Sequence, residues 1–527
     1  MNRDKEMINA CTSVKSDKLF PTQCPDYPLD NKIIEKLKNL GDKLRDDDDD
    51  YQLFRYRDDI DELWVVLLEK AIKCLRYCDS REPFMNANAQ KKCPKAYGID
   101  DLKKYYQRYT KFERVLYGSG QYYRDHVVHV MRTWLSGVEL LVRNEGKALK
   151  RMEIHDKQIS LKLKPEEKLS IWTIIALTHD LGYPLEKAKS IIDVTQEMMG
   201  SFIANPDISV DFSFHGVQNY MNDYIVRLMS SKMEKRPCID EGGAEKIKYV
   251  ARLQSKYYFK FQKSLEHNRH GILSTLIIYK LLTYFLESDY NLNEDYYFDE
   301  EDCRQFYIRR EILRAIASHT CDDIYQMYMG SFSFLLRICD DTQEWGRKYL
   351  SELYVKSSQK YELKNIDLSF CKPEEQKSEE SDNSQINHCT ITEQITVPDR
   401  DNAIDLIYRF REQALVYVTI FRDGQDTDSR DFSFVRELDI RVSNINIVMT
   451  LRIDKDEASQ LLGKLTLSPD AAQNAPFGKT FSDALSKKLN VKCEYQLYND
   501  NEKRVDEDAE SDAASWRKGK LMIPLAN

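Results

Sequence analysis

The clearest chemical signal is His179-Asp180, inside THDLGYP at 178–184. The preceding IWTIIALT is apolar enough to form a buried helix, so it carries an imidazole and a carboxylate to the edge of a core. Burying both is costly unless something compensates. A divalent cation does so, since neutral imidazole and carboxylate both ligate Mn, Fe, Zn or Mg-like ions. One His-Asp dipeptide is a weak signal, but its company is not. The chain has nine histidines, and eight of them fall between 126 and 319. YYRDHVVHV sets His126 and His129 three apart, on one helix face. EHNRHGILS carries His267 and His270, with Gly271 allowing close helix packing. EILRAIASHT ends in His319, and LLRICDDTQEW delivers Asp340 and Asp341 after an apolar run. His155, His215 and His388 fit no such pattern and read as a surface, a packed and a linker histidine.

These groups must be positioned by helices. Helical periodicity runs over 123–143, 167–180, 185–200, 214–232, 244–254, 269–287, 306–319 and 330–354, with loops rich in Asp, Asn, Gly and Pro between. Upstream, residues 1 to about 30 carry three prolines and no clear period, and read as an irregular lead-in. Helices follow at NKIIEKLKNLGDKL and IDELWVVLLEKAIKCLRY, separated by the acidic run 46–50, which reads as a solvated linker. The polar segment 371–388 is the best linker in the chain. Beyond it TITEQITV, ALVYVTIF and IRVSNINIVMTLRI look like strands, whereas DNAIDLIYRFREQ, DEASQLLGKL and SDALSKKL look helical. The last dozen residues read as a loose tail. The expectation is a mainly α protein: an N-terminal helical region over 1–110, an all-helical core domain over 111–370, the linker 371–388, and a smaller C-terminal α+β domain over 389–527.

Composition sets outer bounds. At 527 residues two or three units are expected. The net charge of -9 gives no global basic excess, so nucleic acid is not the favoured partner, although a local cationic pocket for phosphate is compatible with it. The N-terminus lacks a signal-peptide core, and no run reaches the roughly 18 apolar residues of a membrane helix, which points to a cytoplasmic protein with no membrane partner. Twelve cysteines are scattered without a CxxC pair; only Cys74 and Cys78 lie close, four apart on a helix. They read as reduced thiols, with a structural zinc at Cys74 and Cys78 not expected.

The order His…His-Asp…His…His…Asp, each member on a separate helix, resembles the HD-domain metal-dependent phosphohydrolases. That superfamily includes cyclic-nucleotide phosphodiesterases, dNTP triphosphohydrolases and guanosine tetraphosphate hydrolases. The resemblance covers about 230 residues, under half the chain, and is specific for the superfamily rather than the substrate. It implies that His179 and Asp180 are metal ligands, with Asp180 able to bridge two ions, and that Asp340 is the terminal ligand, Asp341 being the alternative. Between His126 and His129 it leaves the first ligand open; His129 is preferred, with His126 as proton donor or phosphate contact. His270 and His319 match positions that bind a second metal or contact phosphate. The implied activity is hydrolysis of a phosphate ester or anhydride, on a small, nucleotide-like substrate, by water activated on one or two ions of Mn, Fe, Mg, Zn or Ni. Arg124, Lys187, Arg269, Arg310, Arg314 and Arg347 are candidate phosphate clamps, each weighed against a plain structural charge. A metal-dependent nuclease and a non-catalytic HD signalling module are the rivals, and a homo-oligomer is compatible with the sequence.

Overall fold

The computed structural model describes residues 3–525 except 15, 22–23, 46–51, 80–94, 117–124, 157–158, 204–216, 240–242, 288–289, 294–295, 322–323, 325–327, 344, 346–360, 371–387, 425–432, 455–459, 468–470, 500–503 and 506–515. The chain divides into two compact units. The first holds Met1–Ile324, Gly330–Asp340 and Arg347–Tyr354; the second holds Tyr325–Met329, Asp341–Gly346 and Val355–Asn527. The acidic run 46–50 and most of the linker 371–388 lie outside the described residues.

The first unit is mainly helical: α1 (Arg3–Thr12), α2 (Ser16–Leu19), α3 (Asn31–Lys43), α4 (Arg57–Cys78), α5 (Ile99–Leu116), α6 (His126–Arg151), α7 (Pro165–Thr178), α8 (Tyr183–Gly200), α9 (Val217–Met229), α10 (Ser255–Glu266), α11 (His270–Leu281), α12 (Thr283–Leu286), α13 (Glu300–Ser318) and α14 (Phe332–Gln343). Two antiparallel hairpins interrupt it, β1 (Ile154–Asp156) with β2 (Ile159–Leu161), and β3 (Ser231–Ile239) with β4 (Glu245–Leu253). α7 is buried on every side, as an all-round apolar helix must be, and packs against α4, α6 and α13. Trp64, Trp134 and Trp172 are fully buried around it, and the Trp172 indole donates to Trp134 O at 3.1 Å. α6 leaves helical geometry at Arg143, where 144–146 turn to positive φ.

The second unit is α+β. Its eight-stranded sheet runs β11-β10-β12-β9-β8-β7-β6-β5, from β5 (Glu362–Ser369), β6 (His388–Val397), β7 (Ser433–Val442), β8 (Ile445–Asp454), β9 (Gln460–Thr466), β10 (Glu494–Asn499), β11 (Arg504–Val505) and β12 (Trp516–Met522). All neighbours are antiparallel except β6 and β7, which α15 (Arg400–Gly424) joins as a crossover. α15 lies on β6, β7 and β8; α16 (Ala471–Leu489) lies on β10 and β12 and also touches α15, so both helices cover one face. The inner strands accordingly alternate buried and half-buried residues.

Several elements differ from the sequence reading. The lead-in over 1–30 contains α1 and α2, because Met7, Ile8 and Cys11 give α1 a fully buried face. The segment 244–254 is strand β4, paired along its length with β3, rather than a helix. The pattern over 269–287 breaks between α11 and α12 at Leu282. ALVYVTIF continues α15 instead of forming a strand, since Ala414 and Tyr417 extend the buried stripe of Ala403, Leu406, Ile407 and Phe410. Of DEASQLLGKL, residues 460–465 enter the sheet in β9, held between β8 and β12, and 456–459 lie outside the described residues. IRVSNINIVMTLRI is two strands folded at the two-residue turn Ser443-Asn444, with Ser443 at φ 53°. The presumed tail supplies β12, an interior strand.

Candidate metal centre

The sharp turn after α7 holds His179 and Asp180, and neighbouring side chains fix it by satisfying its carbonyls. Trp64 of α4 donates to Leu177 O at 2.8 Å, Ser274 of α11 to His179 O at 2.6 Å, and Tyr105 of α5 to Leu181 O at 2.8 Å. Helix ends leave such acceptors without intrahelical partners, so three surrounding helices lock the turn. Pro184 does not stop α7; it opens α8, where a missing N–H costs nothing. At Gly182 a Cβ would lie 2.4 Å from His270 O, and at Gly271 one would lie 2.6 Å from Thr320 Oγ1 and 2.7 Å from Ile316 O. These two glycines let α11 approach both the turn and the end of α13.

The result is a convergence of six side chains from five places in the sequence. His129 Nε2 is 3.0 Å from Asp340 Oδ1 and 3.7 Å from Asp180 Oδ2. His179 Nε2 is 3.6 Å from Asp180 Oδ2 and 4.0 Å from Asp340 Oδ1. On the other side of Asp180, Oδ1 meets His270 Nε2 at 3.2 Å and His319 Nε2 at 3.6 Å. Two groups close to within 4.8 Å, His129/His179/Asp340 and His179/Asp180/His319. His179 donates through Nδ1 to Ala176 O at 2.8 Å, which leaves Nε2 as the lone-pair nitrogen; it is buried and has no hydrogen-bond partner. A fully buried acceptor aimed at two carboxylates is destabilised by both, and a cation relieves it. The donor set therefore fits a divalent metal, which His129, His179, Asp180 and Asp340 could hold.

Protonation follows from the same contacts. Burial alone would raise Asp180, yet His179, His270 and His319 around it hold it well below the carboxylate range. Burial likewise opposes ionisation of Asp340, and His129 beside it overcomes that. Burial disfavours a charged His270, but Asp180 and Glu186 raise it to about 9. His319 is lowered, chiefly by burial. Its Nδ1 donates to Ile316 O at 2.5 Å, so its Nε2 accepts from His270 Nε2 at 3.2 Å, consistent with a charged His270 against a neutral His319.

Other candidates sort clearly. His126 stands outside the cluster, its ring 3.8 Å from that of Tyr183 and its Nδ1 3.7 Å from Glu113. Asp125 caps α6 by accepting from Val128 N, while Glu113 accepts from His126 N at 2.7 Å, and Arg57 pairs with both carboxylates. Asp341 belongs to the second unit, where it accepts from Tyr417 at 3.0 Å and lies near Arg436. His267 is exposed at the end of α10, His388 opens β6, and His215 lies outside the described residues. Arg310 and Arg314 are not free to clamp phosphate, because they donate to Ser231 O and Met229 O. Arg124 and Arg347 lie outside the described residues. Sequence reasoning missed Glu186, which accepts from His270, and Glu113; a carboxylate in a first helical turn, as Glu186 is, gives no signal beyond dipole matching.

Comparison with protein-family models finds no match, and comparison with curated proteins or with solved structures finds none either. Among the described residues, no helix is long and apolar enough to cross a membrane.

Proposed function

We propose that the first unit is a metal-dependent phosphohydrolase of the HD type, acting on a phosphate ester or anhydride of a nucleotide-like substrate. The observation that carries this reading is the buried, unpartnered His179 Nε2 facing Asp180 and Asp340, with His129 opposite. A bound divalent ion supplies a coordinated water whose pKa falls from 15.7 towards about 7. The chain's own groups do the remainder. Charged His270, held by Glu186, offers a cation to phosphoryl oxygens beside Asp180. His126, one turn before His129 and outside the proposed ligand set, would hand a proton to the leaving oxygen, with Glu113 and the Tyr183 ring beside it.

The test is a phosphate-release screen with Mn over dNTPs, cyclic nucleotides, guanosine tetraphosphate and single-stranded nucleic acid. His179→Ala/Asp180→Ala serves as the blank. Turnover of a small nucleotide that vanishes in the blank supports the reading. Turnover surviving in the blank, or turnover of nucleic acid alone, overturns it.

A further inference from the structure

The hairpin of β3 and β4, in the first unit, carries a charge pattern that folding alone does not call for. Pairing sets Lys232 opposite Arg252, Glu234 opposite Val250, Arg236 opposite Lys248 and Cys238 opposite Lys246. Residues directly opposite, and residues two apart along a strand, share a face. Among the described residues of the two strands, that face therefore holds five cations and one carboxylate, on a chain whose net charge is -9. Glu234 lies 3.5 Å from each of Lys232 Nζ, Arg236 Nη2 and Arg252 Nε, so three cations share one negative charge. Two like-charged pairs stand directly opposite, Lys232 with Arg252 and Arg236 with Lys248, an arrangement that costs stability. The other face anchors the base of the hairpin: Met233 and Ala251 are buried there, and Met233 N donates to the Tyr307 hydroxyl of α13 at 3.0 Å. Further out both faces are exposed, with Ile239 and Ile247 on one and Arg236, Lys246 and Lys248 on the other. Exposed Tyr297 lies beside Lys248, whose Nζ is 5.0 Å from the ring centroid.

We propose that this face of the hairpin binds the phosphate backbone of duplex DNA. The cations form two rows, Lys246, Lys248 and Arg252 along β4 and Lys232 and Arg236 along β3. Two parallel rows on a narrow ribbon suit a linear polyanion laid along them. Duplex DNA carries one negative charge per about 1.7 Å of its axis, and its major groove admits a two-stranded β-ribbon. A polyanion against the face turns the mutual repulsion of Arg236 and Lys248 into attraction to a shared partner, which accounts for a pattern that the fold alone penalises. The contacts are to phosphates, so binding is independent of base sequence. The exposed isoleucines by themselves would suit a lipid surface. Between them in sequence, however, stand Asp240, Glu241 and Glu245, which anionic headgroups repel. The complementary partner is therefore a nucleic acid met by the face, not a membrane met by the tip.

The inference does not rest on the hydrolase reading, and its test reads binding rather than turnover, so either can fail alone. Fluorescence anisotropy of a short labelled DNA duplex is titrated with the full chain at several salt concentrations. Affinity is expected to fall by about 10²-fold between about 50 and 200 mM salt, as four neutralised phosphates would give. Arg236→Gln/Lys246→Gln/Lys248→Gln, folded by circular dichroism, is expected to bind about tenfold or more weakly at the lower salt and to flatten that dependence to under about tenfold. Lys38→Gln/Lys103→Gln/Lys111→Gln removes as many exposed cations from α3 and α5 and is expected to keep the native salt dependence. No binding at the lower salt, a hairpin variant that binds like the native chain, or a control variant that loses as much as the hairpin variant would each overturn the proposal. So would binding to phosphatidylserine vesicles without binding to the duplex, which would assign the face to a membrane.

Discussion

Glu186 accepts two hydrogen bonds from His270, one from the ring Nδ1 and one from the backbone N–H, each at 2.7 Å. A single carboxylate thereby caps α11 and orients the imidazole that faces Asp180. Burial opposes the charge on Glu186, but His270 and Lys187 hold it down to about 2, while His270 is raised to about 9. In metal-free protein, Glu186 contributes stability that is present above its unfolded value and is lost as pH falls through the folded one. His270 contributes stability that is present below its unfolded value and lost as pH rises through about 9. The advantage of the native protein over Glu186→Gln in thermal melts is therefore greatest between about pH 4.5 and 6.5 and shrinks on either side. A difference that stays flat from about pH 5 to 10 would mean the pair is not ionised.

Asp340 and Asp341 are adjacent yet face different partners, His129 for the first and Tyr417 for the second. Asp340→Asn is expected to weaken Mn binding by about 100-fold or more, because it removes a ligand's charge. Asp341→Asn leaves Mn affinity within about threefold and instead lowers thermal stability by about 1–3 kcal/mol, through its buried hydrogen bond. Equilibrium dialysis and melts on both variants separate the two roles.

Gly182 and Gly271 let the candidate site's helices approach closely by what they lack. Alanine at Gly182 sets a methyl against His270 O and Leu273, and at Gly271 against Ile316 O, all of them backbone or packed groups. Each substitution is expected to cost about 1–3 kcal/mol of stability and to weaken metal binding as well. Stability lost with Mn affinity unchanged would show that α11 does not set the site's geometry.

His126 contacts Glu113 and Tyr183 rather than the cluster of His129, Asp180 and Asp340, so the proposed proton transfer and the proposed metal binding can be tested separately. His126→Gln is expected to keep Mn affinity and to lower kcat by about 10²–10⁴-fold for poor leaving groups, less for an activated nitrophenyl ester. Equal losses for both leaving groups would remove His126 from the proton-donor role.

What the sequence made legible was local. THDLGYP announces a helix end with two potential ligands, and the spacing of His126 and His129 on one helix face survives folding unchanged. The choice between His129 and His126, and between Asp340 and Asp341, depended on which residues of α6 and α14 reach the turn after α7, which no single segment encodes. EKIKYVARL passes for a helix because Ile247 and Val250 are three apart, yet its backbone bonds go to β3. ALVYVTIF is rich in β-branched residues, yet the buried stripe begun at Ala403 carries the helix through it. DEASQLLGKL has helical composition, yet its QLLGKL part is claimed by the strands on either side. Propensity decides where packing is indifferent, and in these segments packing was not.

The most direct measurement of the central claim is metal stoichiometry of the full chain by equilibrium dialysis against Mn, beside His179→Ala/Asp180→Ala matched for secondary structure by circular dichroism. The account predicts at least one tightly bound ion per native chain and its loss in the double variant. An unchanged stoichiometry in the double variant, or a native chain that binds no divalent ion, would contradict it.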